Sequence, residues 1–304
     1  MSEIQLNSGP LHNDNRTYYP WIVSSVLPLL SLTMQISKAI TTAKEVARRL
    51  AMEMPKTSIQ VLLFDSYESF SVFCDTHDIK LYSTARAAYE PDRRLLLTVG
   101  LCTDFIHELI HSIIQDEIND CPLWLNEAIA NHFQELRKDD KGCWNTAPNK
   151  FVGCVRPILC SGSLSSLNDI LFRDNLLLHH RPKWLDENLK HPQVPYGLYN
   201  YTAWSLFCMY FEEKCKLIAL VGAIKSDVFM DGEQLSTYLF SKSMELTTKD
   251  FVSWLKNQWI EEIANKRANE KQRPGNLLSE DLKEAEKDVL ATLDNLAKQR
   301  KVAV

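Results

Sequence analysis

Apolar side chains recur at two different spacings along the chain, and the spacing changes several times. After a polar start over residues 1–20, helical spacing runs from about Ser31 to Met54 and ends at Pro55. The apolar runs 58–64 and 94–99 are short and rich in aliphatic residues, which is typical of buried strands. Further helical patterns lie at 102–116, 122–136, 200–213, 232–241 and 248–267.

These elements predict an α+β fold, with a small mixed sheet packed against a mainly helical body and a helical C-terminal half. We expect an N-terminal segment and helix over 1–57, a core over 58–198 and a helical subdomain over 199–304. Residues 138–198 are rich in Pro, Gly, Asn and Ser and are the least regular part of the core segment. The sequence leaves open whether this stretch forms a lid or an insertion.

A last helix is predicted after the Pro274-Gly275 break, with Ser279 as its N-cap and acidic residues in its first turn. Its apolar side chains form one stripe, namely Leu278, Leu282, Ala285, Val289, Leu293 and Leu296. Such a stripe packs on the chain's own body or on a second copy of the chain. We therefore predict a monomer, or a weak dimer formed through this helix.

The composition excludes some classes of protein and partner. With 45% hydrophobic and 24% charged residues, the chain has globular rather than disordered proportions. Its 34 basic and 39 acidic residues give a formal net charge of −5, which argues against nucleic acid as the main partner. The eight cysteines are dispersed without a C-x-x-C pair, as is typical of the reducing cytoplasm.

The most apolar N-terminal run, Trp21–Met34, has 14 residues and contains Pro28, so it is too short to span a bilayer. The residues before it include Glu3 and Asp14 beside Arg16, which is unlike the basic start of a signal peptide. We therefore predict a cytoplasmic protein without a membrane partner.

The candidate chemistry is concentrated in one helical pattern that contains the sequence H-E-x-x-H. His107 and His111 lie four residues apart, so on a helix both imidazoles face the same side and can hold one metal ion. Glu108 lies about 100° around the helix from His107, where it can reach a water at the metal without being a ligand. The surrounding positions are apolar, so we expect this helix to be buried except along its His face. The alternative for the pentapeptide alone is a helix whose His residues make ordinary hydrogen bonds.

A third ligand is predicted on the next helix. If the loop around Asn119 joins two antiparallel neighbouring helices, His111 lies eight residues before the midpoint and Glu127 eight residues after it. Glu127 is then level with His111 and completes a His, His, Glu site with one open position. Asn131 is level with His107 by the same arithmetic and shares a helical face with Glu127. We therefore predict that Asn131 orients His107 without binding the metal.

Other third ligands fit less well. The longer motif H-E-x-x-H-x-x-G-x-x-H needs a glycine where Ile114 stands, and without that turn Glu117 points to the far side of the helix. His132 lies about 140° from Glu127 around its helix, so we expect it to make structural or surface contacts.

The segment His107–His111, followed by W-L-N-E-A-I-A, resembles the gluzincin zinc metallopeptidases, in particular their small peptidase MA-like domains. Asn126-Glu127-Ala128-Ile129 is similar to the glutamate-bearing helix of thermolysin, although Asn131 stands where that helix carries an aspartate. The resemblance extends more faintly over about residues 58 to 265, and its specific motifs lie between 105 and 135. The Gly-x-Met-Glu-Asn motif of the large gluzincin aminopeptidases is absent from the sequence, so amino-terminal trimming has no specific support.

The resemblance implies a zincin-like core that hydrolyses peptide bonds in a peptide or protein substrate. One Zn²⁺ per chain, held by His107, His111 and Glu127, would lower the pKa of its bound water and polarise a substrate carbonyl. Glu108 would act as general base and then pass the proton to the leaving amine.

Two further features follow from the resemblance alone. In gluzincins a Tyr or His on a later helix stabilises the oxyanion, which makes Tyr201 the candidate and Tyr199 the second choice. The alternative for Tyr201 is an aromatic side chain that packs at a helix start. The strand 94–99 would be the sheet edge that pairs with an extended peptide substrate.

Two other hypotheses stay open at this point. One is a binding or scaffold protein on a gluzincin fold with a structural metal site, although Glu108 and the open fourth position argue against it. The other is a zinc-free helical interaction protein in which the motif is accidental. The sequence leaves the substrate, and endopeptidase versus exopeptidase action, undetermined.

Overall fold

A computed structural model describes residues 16–18, 21–25, 29–79, 85–100, 103–146, 155, 159, 196–226, 232–271 and 279–302 of the chain. These parts contain seven strands and nine helices, so the predicted α+β class is confirmed. The chain divides into two compact units. Residues 1–122 and 129–147 form the first unit, and residues 123–128 and 148–304 form the second.

The strands all belong to the first unit. They are β1 (Arg16–Tyr18), β2 (Trp21–Ser25), β3 (Ile59–Phe64), β4 (Ala87–Glu90), β5 (Leu95–Val99), β6 (Leu136–Lys138) and β7 (Trp144–Thr146). Five strands form one mixed sheet in the order β1-β2-β3-β5-β4, in which β2, β3 and β5 are parallel and the outer strands are antiparallel to their neighbours. The strands β6 and β7 form a separate antiparallel hairpin.

Four helices belong wholly or partly to the first unit. They are α1 (Leu29–Arg49), α2 (Tyr67–Thr76), α3 (Thr103–Glu117) and, in part, α4 (Leu123–Phe133). The helix α2 packs against β3 and β5. On one face, Leu62 of β3 and Leu97 of β5 pack with Phe70 of α2. Residues that alternate with these, such as Val61 and Leu96, point to the opposite face and are completely buried. The helix α3 packs against β4, β5 and α1.

Arg94 joins the β4–β5 hairpin to the last turn of α3. Its guanidinium donates to the main-chain oxygens of Thr57 at 2.8 Å and Ser58 at 3.3 Å, and it forms an ion pair with Asp116. The Asp116 carboxylate also accepts a hydrogen bond from the main-chain N–H of Lys56 at 3.2 Å. Arg94 has a φ of +48°, which is unfavourable for a residue with a Cβ atom. These contacts hold the residue in that conformation and tie the end of α3 to the sheet.

The second unit is helical in its described parts. Besides residues 123–128 of α4 it contains α5 (Tyr196–Glu213), α6 (Leu217–Lys225), α7 (Gly232–Phe240), α8 (Met244–Glu270) and α9 (Ser279–Val302). Its core is aromatic: Phe207, Tyr210 and Phe251 are each 1% exposed, and the Phe207 and Phe251 rings meet edge to face with centroids 5.0 Å apart. The Trp254 indole N–H donates to the Glu213 carboxylate at 2.6 Å, which links α8 to α5.

None of the helices in the described residues is long and apolar enough to cross a membrane.

The prediction that strand 94–99 is a sheet edge is wrong. The strand β5 lies between β3 and β4 and is hydrogen-bonded on both sides. The chain before it folds back through the four-residue loop 91–94, so that β4 occupies the edge instead.

Residues on both sides of position 57/58 contribute to one sheet, because β2 and β3 pair in parallel with Trp21 opposite Ile59. The polar start over 1–20 contains the strand β1. Most of the irregular segment 138–198 lies outside the described residues.

Candidate metal centre

The helix α3 carries His107, Glu108 and His111 among apolar residues in its middle. Its apolar residues Phe105, Leu109, Ile110, Ile113 and Ile114 are at most 1% exposed. His111 is 7% exposed, whereas His107 and Glu108 are only partly buried. The apolar positions of the helix are therefore buried as expected, but the His face is not uniformly open, because His111 is buried as well.

The two imidazoles of α3 turn their Nε2 atoms toward each other. These atoms are 2.9 Å apart, and the rings are inclined at 86° with centroids separated by 4.5 Å. A tetrahedral zinc ion with Zn–N bonds of about 2.05 Å needs two nitrogens about 3.3 Å apart. The observed separation is close to that value, so His107 and His111 fit a shared ion with little adjustment.

Glu127 of α4 supplies a third donor. Each of the three residues His107, His111 and Glu127 offers one ligand atom, and these three atoms lie within 4.8 Å of one another. Within the described ranges, no other group of three or more His, Cys, Asp or Glu side chains comes together in this way. Two imidazole nitrogens and one carboxylate oxygen form a donor set that occurs in catalytic zinc sites, so the residues present fit zinc.

A short connection places the three ligand residues within one stretch of 21 residues. Only residues 118–122 separate α3 from α4. Asp120 turns the chain with a φ of +55°, a conformation that Asp tolerates better than most residues. Pro122, with a φ of −55°, precedes α4 and has no N–H that would need a partner there.

Asn131, also on α4, contacts Gln134. The Gln134 side-chain nitrogen donates to the Asn131 side-chain oxygen at 3.3 Å and to the Asn131 main-chain oxygen at 3.1 Å. The sequence reasoning missed Gln134, although its position three residues after Asn131 is a spacing at which helical side chains meet. That Asn131 orients His107 stays a prediction.

The remaining predicted residues lie on two helices. His132 is 5% exposed, and its ring centroid lies 4.6 Å from that of Phe133, which fits the expected structural contacts. Tyr201 and Tyr199 lie on the backbone of α5, but their side chains are outside the described part of the structure.

Comparisons with protein-family profiles and with curated proteins give no match for this chain. The three ligand side chains can hold a metal ion, and Glu108 follows His107 directly on α3.

Proposed function

We propose that the protein is a zinc metallopeptidase with a zincin-like core, which hydrolyses peptide bonds in a peptide or protein substrate. The observation that carries this proposal is the cluster of His107, His111 and Glu127, whose ligand atoms lie within 4.8 Å of one another. Three protein ligands leave one position of a tetrahedral zinc ion for water or substrate. Structural zinc sites usually have four protein ligands, so the donor count favours catalysis over a purely structural metal.

Zinc is the metal that suits this donor set. Imidazole nitrogen binds zinc well, whereas magnesium and calcium prefer sites made only of oxygen ligands. The three residues form one site, so we expect one Zn²⁺ per chain.

The proposed mechanism assigns a separate task to each side chain. Zinc, when bound, polarises a substrate carbonyl and lowers the pKa of water. Glu108 takes the proton of the attacking water and then delivers it to the leaving amine. His107 and His111 stay neutral while they bind zinc, so they take no part in this proton transfer. Tyr201, with Tyr199 as second choice, donates a hydrogen bond to the oxyanion.

The cysteines support the proposal of a cytoplasmic location. Five of them, Cys74, Cys121, Cys143, Cys208 and Cys215, lie in the described residues and are free thiols. Burial raises the pKa of the Cys74 thiol to about 11, and Cys208 is also buried with a raised pKa. The buried Cys74 and Cys208 thiols are therefore unreactive packing groups. Free thiols, including the exposed Cys143 and Cys215, are expected in a reducing compartment.

The variant Glu108→Gln tests the mechanism, because it keeps the size of the side chain and removes the base. We expect it to retain zinc and to lose at least about 100-fold in turnover, the lower range of general-base catalysis. Turnover is measured with a library of internally quenched peptides, and zinc content by plasma mass spectrometry. The matched control is Glu117→Gln near the end of the same helix, which should cleave at the wild-type rate.

Two results would contradict parts of this proposal. Cleavage of a responsive peptide by Glu108→Gln at the wild-type rate would show that the mechanism is wrong. A protein that binds zinc and is stabilised by it, but cleaves no peptide, would instead have a structural metal site.

A further inference from the structure

Gln134 makes an unusual pair of contacts at the C-terminal end of α4. Its side chain is buried, with 2% exposure, and its main-chain N–H donates to the Ala130 oxygen at 3.0 Å. The single nitrogen Nε2 donates twice to Asn131, at 3.1 Å to the main-chain oxygen and at 3.3 Å to the side-chain oxygen Oδ1. Both hydrogen bonds that the Gln134 side-chain nitrogen donates therefore go to one residue, Asn131.

These two bonds fix Asn131 in complementary ways. The last carbonyl groups of a helix have no partner within the helix, and Gln134 satisfies one of them. The bond to Oδ1 also determines which end of the Asn131 carboxamide faces Gln134. A rotation of the carboxamide by 180° would place its NH₂ group against the donating nitrogen of Gln134, and two donors repel each other.

We propose that Gln134 is a positioning residue of the metal centre, which holds the Asn131 oxygen where it can accept a hydrogen bond from His107. This inference rests on the proposed function and on the predicted role of Asn131. A metal-binding imidazole generally donates its second N–H to an oxygen atom, which orients the ring. An amide oxygen accepts up to two hydrogen bonds, so the bond from Gln134 is compatible with a second one from His107.

The need for Gln134 follows from the fact that residue 131 is an asparagine rather than an aspartate. A carboxylate presents an oxygen in either orientation, whereas a carboxamide presents an oxygen in only one. Asn131 therefore needs a neighbour that selects the orientation, and Gln134 supplies it.

The test is a cycle of variants whose zinc dissociation constants are measured by competition with a chromophoric chelator. Gln134→Met keeps the length of the side chain and removes the donor. We expect it to weaken zinc binding about tenfold, the lower range for residues that support a ligand. Asn131→Ala should weaken binding by at least as much, and adding Gln134→Met to it should have no further effect.

Two further variants separate positioning from a general structural role. In an Asn131→Asp background, Gln134→Met should change the zinc dissociation constant less than twofold, because a carboxylate needs no selected orientation. Ser236→Ala removes another buried polar contact, a hydrogen bond of 2.9 Å to the Lys242 main-chain oxygen, and should leave zinc binding unchanged. Circular dichroism of the metal-free variants checks that each is folded, and Gln134→Glu replaces Gln134→Met if the latter is not.

Each outcome bears on the inference separately from the proposed function. Equal zinc affinities for the wild type and a folded Gln134 variant would overturn the inference, as would losses that simply add in the Asn131→Ala background. Zinc binding that follows the expected cycle, without any peptide hydrolysis, would support the inference and contradict the peptidase. A wild-type protein that binds no zinc would overturn both.

Discussion

The helices α3 and α8 both bury large apolar surfaces, but they place their polar side chains differently. On α3, the imidazoles of His107 and His111 converge in the middle of the helix on a carboxylate from α4. On α8, charged side chains pair with opposite charges, as in the contact of Lys249 with Glu245 at 2.6 Å. The first arrangement gathers groups that could hold a cation, whereas the second pairs opposite charges.

This difference separates stability from function. Convergent ligand side chains stabilise the folded protein mainly when an ion is bound. Only the folded chain brings them together, so the free energy of ion binding adds to the free energy of folding. Paired charges and aromatic contacts act in the metal-free protein. Substitutions in α8 and α9, which carry none of the three ligand residues, should therefore change the free energy of unfolding and leave zinc affinity unchanged.

The largest effect is expected for Phe251→Ala in the aromatic core of the second unit. The Phe251 ring is 1% exposed and lies 5.0 Å from Phe207 and 5.4 Å from Tyr210 between ring centroids. Its removal should lower the free energy of unfolding by about 3–5 kcal/mol, measured by urea denaturation in the presence of a chelator. Leu246→Ala on the same helix, where the side chain is 50% exposed, is the control and should cost far less. A tenfold loss of zinc affinity in folded Phe251→Ala would contradict the separation of stability from zinc binding.

An intermediate effect is expected for Lys271→Met. The Lys271 ammonium lies 2.9 Å from the carboxylate of Asp281, whose side chain is 1% exposed. Without this cation a buried carboxylate loses a charged partner, although the N-terminal turn of α9 still favours negative charge there. We expect a loss of about 1–3 kcal/mol in the free energy of unfolding. Lys266→Met, at an exposed position of α8, should be nearly neutral.

The smallest effect is expected for Arg267→Ala. Arg267 forms ion pairs with Asp288 and, at 3.8 Å, with Glu284 of α9, and all three side chains are in contact with solvent. Such pairs contribute at most about 1 kcal/mol, and salt screens them. The melting temperature of Arg267→Ala should be slightly lower than that of the wild type, and this difference should become smaller in about 1 M NaCl. A loss that is large and independent of salt would show that Arg267 acts through packing instead.

The candidate metal centre could be predicted from the sequence because its determinants are local. His107 and His111 are related by the helical period, and Glu127 by the length of one short connection. The backbone geometry of a helix is nearly constant, so such spacings translate directly into positions. The bond between Gln134 and Asn131 also has helical spacing, but nothing in the sequence indicates which polar side chains of a buried helix end will pair.

The sheet could be predicted only in part because its pairings are not local. The strands β3 and β5 have strong apolar runs that predict them. The strands β1 and β4 have only three and four residues, and β2 ends in two serines. Trp21 pairs with Ile59, and the whole of α1 lies between them in the sequence. A local pattern of residues does not indicate a pairing partner at that distance along the chain. The error about the sheet edge has the same origin, since it depends on where the β4 strand pairs.

The most direct test of the central claim is the zinc content of purified wild-type protein beside His111→Ala and Glu127→Ala, measured by plasma mass spectrometry. Glu117→Ala, a change of a nearby carboxylate outside the cluster, is the control and should keep its zinc. We predict about one zinc per chain in the wild type and a large loss in both ligand variants. Loss with His111→Ala alone would show that Glu127 is not a ligand, and a wild type without zinc, even after reconstitution, would contradict the claim of a metal centre.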